Sequence, residues 1–242
     1  MIDNAFPSPV ELKKIELKTL DFISNQPFFL EKFPKLANDA RDAYIHIKYN
    51  TNARNILIDF ESEIDGITED QKRKIHIGGV VNLKQRNLSE YEKYSYYFAI
   101  CDNLDSPSRL VRKFHFDYVL PDTAGTRRQP HPIFHLQYCG ELTPGLVRKG
   151  YGENHIQHMS PDLSVPRIPF TPISLALLID YILREFCDKN IAEKGRQIFE
   201  WRSIVKDNEK SLLGPYYNQC GVFLGRHDRD SCLLSNFYYG EE

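Results

Sequence analysis

Two hydrophobic periods divide the chain. From Pro9 onward, Leu12, Ile15, Thr19, Phe22 and Ile23 recur at helical spacing. Ser8 stands as N-cap, Pro9 as N1 and Glu11 as N3 of a reciprocal capping pair, which predicts a helix over 9–24. A weaker helical pattern covers 28–41. The period then changes to two, in six runs: YIHIKYN (44–50), RNILIDFES (54–62), KIHIGGVVNLK (74–84), YSYYFAICD (94–102), RLVRKFHFDYV (109–119) and PIFHLQYC (132–139). Short connections between them make an antiparallel meander the simplest topology. Gly78-Gly79 inside the third run predicts a bulge; no helix pattern follows it, as a phosphate cradle would require.

Beyond Thr143 the alternation lapses. Pro161, Pro166, Pro169 and Pro172 stiffen this segment into an extended strap, read as a rigid crossover rather than a proline-rich ligand. Thr171 and Pro172 open a helix predicted over 172–187, apolar nearly all round and therefore central. A last helix, over about 191–210, buries Ile198, Trp201 and Val205 and stops near Gly214-Pro215. Without internal repeats or a flexible linker, the expectation is a single α+β domain spanning 1–242. Its parts are helices at 9–41, a mostly antiparallel meander sheet of about six strands at 42–139, the strap at 143–171, and helices with a tail at 172–242. The expected sheet core is Ile56, Ile58, Phe60, Phe114, Phe116, Phe134 and Leu136.

Composition narrows the function class. The 242 residues are 41% apolar and 26% charged, and 31 basic against 33 acidic side chains leave a formal charge of −2. Nothing global draws such a chain to nucleic acid or membrane, so any attraction is local. The start MIDNAFPSPVELKK has no basic, apolar signal-peptide pattern, and ISLALLIDYILREF (173–186) is broken by Asp180 and too short to span a bilayer. Five cysteines without CxxC spacing indicate neither a disulfide framework nor a zinc ribbon. A cytoplasmic protein with no membrane contact, no cofactor and no structural metal is expected.

The candidate chemistry lies in KFHFDYVLPDTAGTRRQPHPIFHLQYCG (113–140), which holds three of the eight histidines. Strand parity sends Phe114, Phe116 and Tyr118 to one face and Lys113, His115 and Asp117 to the other; it likewise separates Phe134, Leu136 and Tyr138 from His135 and Gln137. With both aromatic faces in one core, His115, Asp117, His135 and Gln137 form a polar cluster. One hairpin register sets His115 opposite His135, and a two-residue slip sets Asp117 opposite His135. A histidine oriented by a carboxylate can act as general acid or base near neutral pH, so His115, Asp117 and His135 are the candidate catalytic residues. His76 and His46 alternate with isoleucines on earlier runs and are candidates for the same face. His131 and His135 cannot share an ion, since four strand residues separate them by about 13 Å. His155 and His158 lack a third ligand at known spacing.

Charge is uneven along the chain. Lys72, Arg73 and Lys74 open the third run, and Arg112, Lys113, Arg127 and Arg128 cluster further on. Together with Gln137 they are candidate binding residues, and with Tyr91, Tyr94, Tyr96 and Tyr97 for stacking they could contact nucleic acid. The competing reading is ordinary surface charge, offset by Asp59, Glu61, Glu63, Asp65, Glu69 and Asp70.

Segment 109–187, with KFHFDY, PHPIFHLQ and PRIPFTPISLALLIDYILREF, resembles uncharacterised bacterial proteins of mobile-element and defence gene clusters. The resemblance covers about a third of the chain and brings no catalytic residue with it. The absence of a complete catalytic signature makes the first of two functions the expectation and the second its alternative. The first is a non-catalytic subunit or adaptor that docks a protein partner, with contact to nucleic acid through the basic strands. The second is a small hydrolase or phosphoesterase acting on RNA or a nucleotide, with His115 and His135 as acid and base and Arg127 or Arg128 holding phosphate.

Overall fold

A computed structural model describes residues 7–50, 54–68, 71–102, 110–118, 134–138 and 167–225. Three helices come first: α1 (Pro9–Asn25), α2 (Pro27–Lys32) and α3 (Pro34–Tyr49), each with proline in its first turn. Proline fits there because that amide has no helical acceptor. Ser8 Oγ accepts from the Glu11 amide at 3.3 Å, as the capping pattern predicts. The expected single helix 28–41 is instead divided at Phe33, with Pro34 starting a new one. The run YIHIKYN, expected as a strand, is the end of α3. Leu36, Ala37, Ala40, Ala43 and Ile47 make its buried stripe, so Ile45, two residues from Ile47, is turned out and 49% exposed.

The sheet therefore begins at Ile56 rather than at 42. It runs β1 (Ile56–Thr68), β2 (Gln71–Lys84), β3 (Asn87–Asp102), β4 (Leu110–Tyr118), β5 (Phe134–Tyr138) and β6 (Arg167–Pro169). All neighbours are antiparallel and in sequence order, the expected meander. Five of the six alternating runs are strands, and the sixth place is taken by three residues at the end of the strap. The rest of the strap up to residue 166 lies outside the described residues.

No bulge forms at Gly78-Gly79. Pairing is continuous there, and the irregularities fall at Ile56/Ile58 and around Leu83. The glycines instead make room for rings on opposite faces, Gly78 beneath Tyr97 and Gly79 beneath Tyr96. Side chains on those two positions would occupy the space of the tyrosines.

One face of the sheet carries the core. Ile58, Phe60, Ile75, Ile77, Tyr96, Phe98, Phe116 and Phe134 are buried, while Ile56, Phe114 and Leu136 are half-buried against the cluster. Three more helices complete the structure: α4 (Leu175–Phe186), α5 (Lys189–Gln197) and α6 (Phe199–Gly225). Helix α4 starts three residues later than the expected 172, because Ser174 is the cap, accepting from the Leu177 amide at 3.4 Å. The single helix expected over 191–210 is broken at Ile198, and α6 continues through Pro215 instead of stopping there. Pro215 removes one amide donor, yet Leu212 is buried just before it and Tyr216 packs edge-on against Phe134 at 5.9 Å just after. Tertiary packing thus carries the helix across a local breaker.

Trp201 joins these helices. Its indole stacks on Phe22 at 5.9 Å, meets Phe29 at 5.3 Å and donates Nε1–H to Asp180 Oδ1 at 3.1 Å. Asp180, the charge that interrupts the apolar run of α4, is buried and is also paired with Arg184 at 2.5 Å. Trp201→Phe removes one donor together with part of the ring surface packed on Phe22 and Phe29, so urea denaturation is expected to show a loss of at least about 1–3 kcal/mol. No helix among the described residues is long and apolar enough to cross a membrane.

Candidate functional site

The outer face of the sheet is built by the strand parity of β4 and β5. Tyr118 pairs with Phe134, Asp117 with His135, Phe116 with Leu136 and His115 with Gln137. Of the two registers compatible with the pattern, the structure adopts the one that sets Asp117 opposite His135. One carboxylate oxygen, Asp117 Oδ2, lies 3.5 Å from His115 Nδ1 and 3.7 Å from His135 Nε2. On its other side, His115 Nε2 is 2.7 Å from Gln137 Oε1. His115 is thus held between a carboxylate on its own strand and an amide on the next. His135 is 3% exposed, whereas His115 and Asp117 are half-buried.

The same face continues across the sheet. The pairing aligns Glu61, Gly78, Tyr97, His115 and Gln137 in one row, and Glu63, His76, Ala99 and Lys113 in the next. Because Gly78 has no side chain, the Tyr97 ring crosses β2 and its hydroxyl donates to Glu61 Oε1 at 3.1 Å. His76 Nδ1 lies 3.3 Å from Glu63 Oε2. Lys113, only 2% exposed, holds its Nζ 5.9 Å from the centre of the Tyr97 ring. Strand alternation had grouped His115, Asp117, His135 and Gln137, and it places His76 with them. The part of Tyr97 and Glu61 in this array escaped it, and the legible signal was the glycine that leaves Tyr97 its space. His46 is on α3, away from this face.

The basic residues are divided. Lys72, Lys74 and Lys113 point to the polar face by parity, while Arg73 and Arg112, paired with Gly66 and Ile100, belong to the helix-bearing face. Lys74 is tied to Asp65 at 2.6 Å. Tyr91, Tyr94, Tyr96 and Tyr97 are all buried, with hydroxyls bonded to Pro7 O, Ile173 O, Glu16 and Glu61 respectively. Arg127, Arg128, His131, His155 and His158 lie outside the described residues. Among the described residues, no group of three or more His, Cys, Asp or Glu could hold a metal ion.

No family model, curated protein or solved structure matches this chain. Functional assignment therefore rests on residue chemistry. The polar face gathers two imidazoles within 4 Å of one carboxylate oxygen, beside a buried lysine. Buried ionisable groups gathered in this way mark a functional-site candidate, because burial of charge costs stability unless the groups pair.

A second polar node lies on the helix-bearing face. Glu16 of α1 is fully buried, with Oε1 accepting from the Tyr96 hydroxyl at 2.6 Å and from the Leu175 amide at 3.2 Å. Its Oε2 has no hydrogen-bond partner among the described residues. Burial pushes the carboxyl up to about 7, against the opposing pull of those two hydrogen bonds. Pattern reading missed this residue, although its place four residues after Leu12 and four before Leu20 puts it on the buried stripe of α1.

Proposed function

We propose that the polar face is the acid–base centre of a cytoplasmic hydrolase acting on a phosphoester, with RNA or a nucleotide as substrate class. The observation that carries this reading is the sharing of Asp117 Oδ2 by two imidazole nitrogens from adjacent strands, at 3.5 and 3.7 Å. Hydrolysis of a phosphoester needs a base to take a proton from the attacking oxygen and an acid to protonate the leaving oxygen. His115 and His135 fill these two roles. Asp117 orients both rings and steadies whichever is protonated, and Gln137 fixes the ring of His115.

The test is turnover of RNA oligonucleotides and nucleoside phosphates by the purified full chain, beside His115→Gln, His135→Gln and Asp117→Asn. Each substitution should lower the rate by about 10²–10⁴-fold, the usual contribution of a positioned acid or base, while the unfolding midpoint stays near that of the wild type. Absence of phosphoester turnover by the wild type, or variants as active as it, rejects the reading.

A second reading, a non-catalytic subunit of a bacterial defence or mobile-element assembly, is favoured by the sheet edge. Ile168 on β6 and the adjoining Phe170 are 55% and 37% exposed, an apolar pair beside the last strand of the sheet among the described residues, which a partner's strand could cover. In that case Ile168→Asp should release the partner from the affinity-purified native complex. Retention of the partner would exclude this edge as the docking surface.

A further inference from the structure

Strands β3–β5 bear their polar array on one side and a cavity on the other. The cavity encloses about 370 Å³ between the sheet residues Phe98, Phe114 and Phe116, the segment at Phe170, Tyr181 of α4 and Leu213 of α6. It exists because residues 170–173 and the two helices wall this part of the apolar face without filling it. Its volume falls inside the range of small-molecule sites, about 300–1,000 Å³.

The lining states the chemistry of the guest. Among the described residues no carboxylate, amine, guanidinium or imidazole contributes to the walls, and their side-chain polar atoms there are the hydroxyls of Thr171 and Tyr181. A charged guest would lose its hydration without gaining a partner, so the site selects against charge. The rings are arranged to receive another ring. Phe98 lies 4.8 Å from Phe114 at 22° and 6.4 Å from Phe116 at 27°, and Phe170 meets Phe116 at 5.3 Å. Aromatic groups prefer such offset or tilted contacts at 4.5–7 Å (roughly). At the mouth, Phe170 and Tyr181 keep exposed ring surface that a guest would remove from water.

We propose that this cavity binds an uncharged small molecule carrying one or two aromatic rings, with the hydroxyls of Thr171 and Tyr181 available to a single polar substituent. The site is independent of the hydrolytic reading, since it lies on the opposite face and its test reads binding alone.

The full chain is titrated with N-phenyl-1-naphthylamine, an uncharged two-ring fluorescent probe, and in parallel with the anionic 8-anilino-1-naphthalenesulfonate. Saturable binding of the neutral probe at one site is expected, at least tenfold tighter than that of the anionic one. Leu177→Trp and Leu213→Trp, which fill the cavity from two different helices, should each weaken the neutral probe at least tenfold. Either variant suffices if the other fails to fold. Absent or non-saturable binding of the neutral probe, a preference for the anionic probe, or undiminished binding by a folded, filled variant overturns the proposal. A purified protein partner that displaces the neutral probe would assign the cavity to an aromatic side chain of that partner and likewise overturn it.

Discussion

Glu16→Gln is expected to stabilise the protein at pH 8 by about 3 kcal/mol and to change its stability little at pH 4.5. Burial raises this carboxyl from its ordinary 4.5 to about 7, so between those values the folded chain holds a proton that the unfolded chain has released. Stability therefore falls as pH rises through this window. The contribution is fully present below about 4.5 and is lost above about 7. A shift of this size, at about 1.4 kcal/mol per unit, sets the magnitude. Among the described residues no cation compensates it: the groups coupled to Glu16 are Tyr91, Tyr94 and Tyr96, all held above their usual range by burial and so neutral.

Glutamine copies the protonated acid. Its carbonyl oxygen can accept from the Tyr96 hydroxyl and the Leu175 amide, and its amide nitrogen takes the place of Oε2, which has no partner among the described residues. Urea denaturation of both proteins across pH 4.5–8 is the measurement. The difference between the two profiles isolates Glu16 from every other titrating group, and parallel profiles would mean that Glu16 is not the buried proton acceptor described above.

Gly79→Ala carries the other large effect. A methyl group there would meet Tyr96 Cδ1 at 2.5 Å, Cε1 at 2.7 Å and Ile58 Cγ2 at 3.3 Å. Tyr96 cannot swing aside cheaply, because the ring is fully buried and its hydroxyl is bound to Glu16 at 2.6 Å. Overpacking of a filled core costs about 1–3 kcal/mol, and parting a buried hydroxyl from its acceptor adds about 1–3 kcal/mol. Chemical denaturation should register the sum of the two. A Gly79→Ala protein within about 0.5 kcal/mol of the wild type, the range of ordinary surface substitutions, would show that the ring yields freely. Gly78→Ala meets Tyr97 instead, and its consequence should appear on the opposite face, as loss of the Tyr97–Glu61 hydrogen bond.

Local chemistry made several elements legible. The cap of α1 depends on Ser8, Pro9 and Glu11, all within one turn, and a twofold alternation identifies β1 to β5 without reference to their neighbours. The same alternation put His115, Asp117, His135 and Gln137 on one face, since parity survives any even slip of register. It failed where a short segment satisfies two periods. Ile45 and Ile47 alternate as strand residues would, yet Ile47 also continues the stripe of Leu36, Ala40 and Ala43, and packing of that stripe on α1 and β1 decides the helix.

By itself, then, the sequence determined the class of the fold, the meander order and the shared face of His115, Asp117, His135 and Gln137, because spacing along a strand or helix is a property of adjacent residues. Only the tertiary structure decided which register joins β4 to β5, and hence that one carboxylate oxygen lies within 4 Å of both histidines. It also decided that Gly78 and Gly79 accommodate tyrosines rather than a bulge, that α6 passes through Pro215, and that Glu16 is sealed against Tyr96 and the start of α4. The reason is common to all four. Each depends on the volume and hydrogen-bonding groups brought by a partner distant in the chain, and Glu16 and Leu175 are 159 residues apart. Such a partner leaves no periodic trace at the position it constrains.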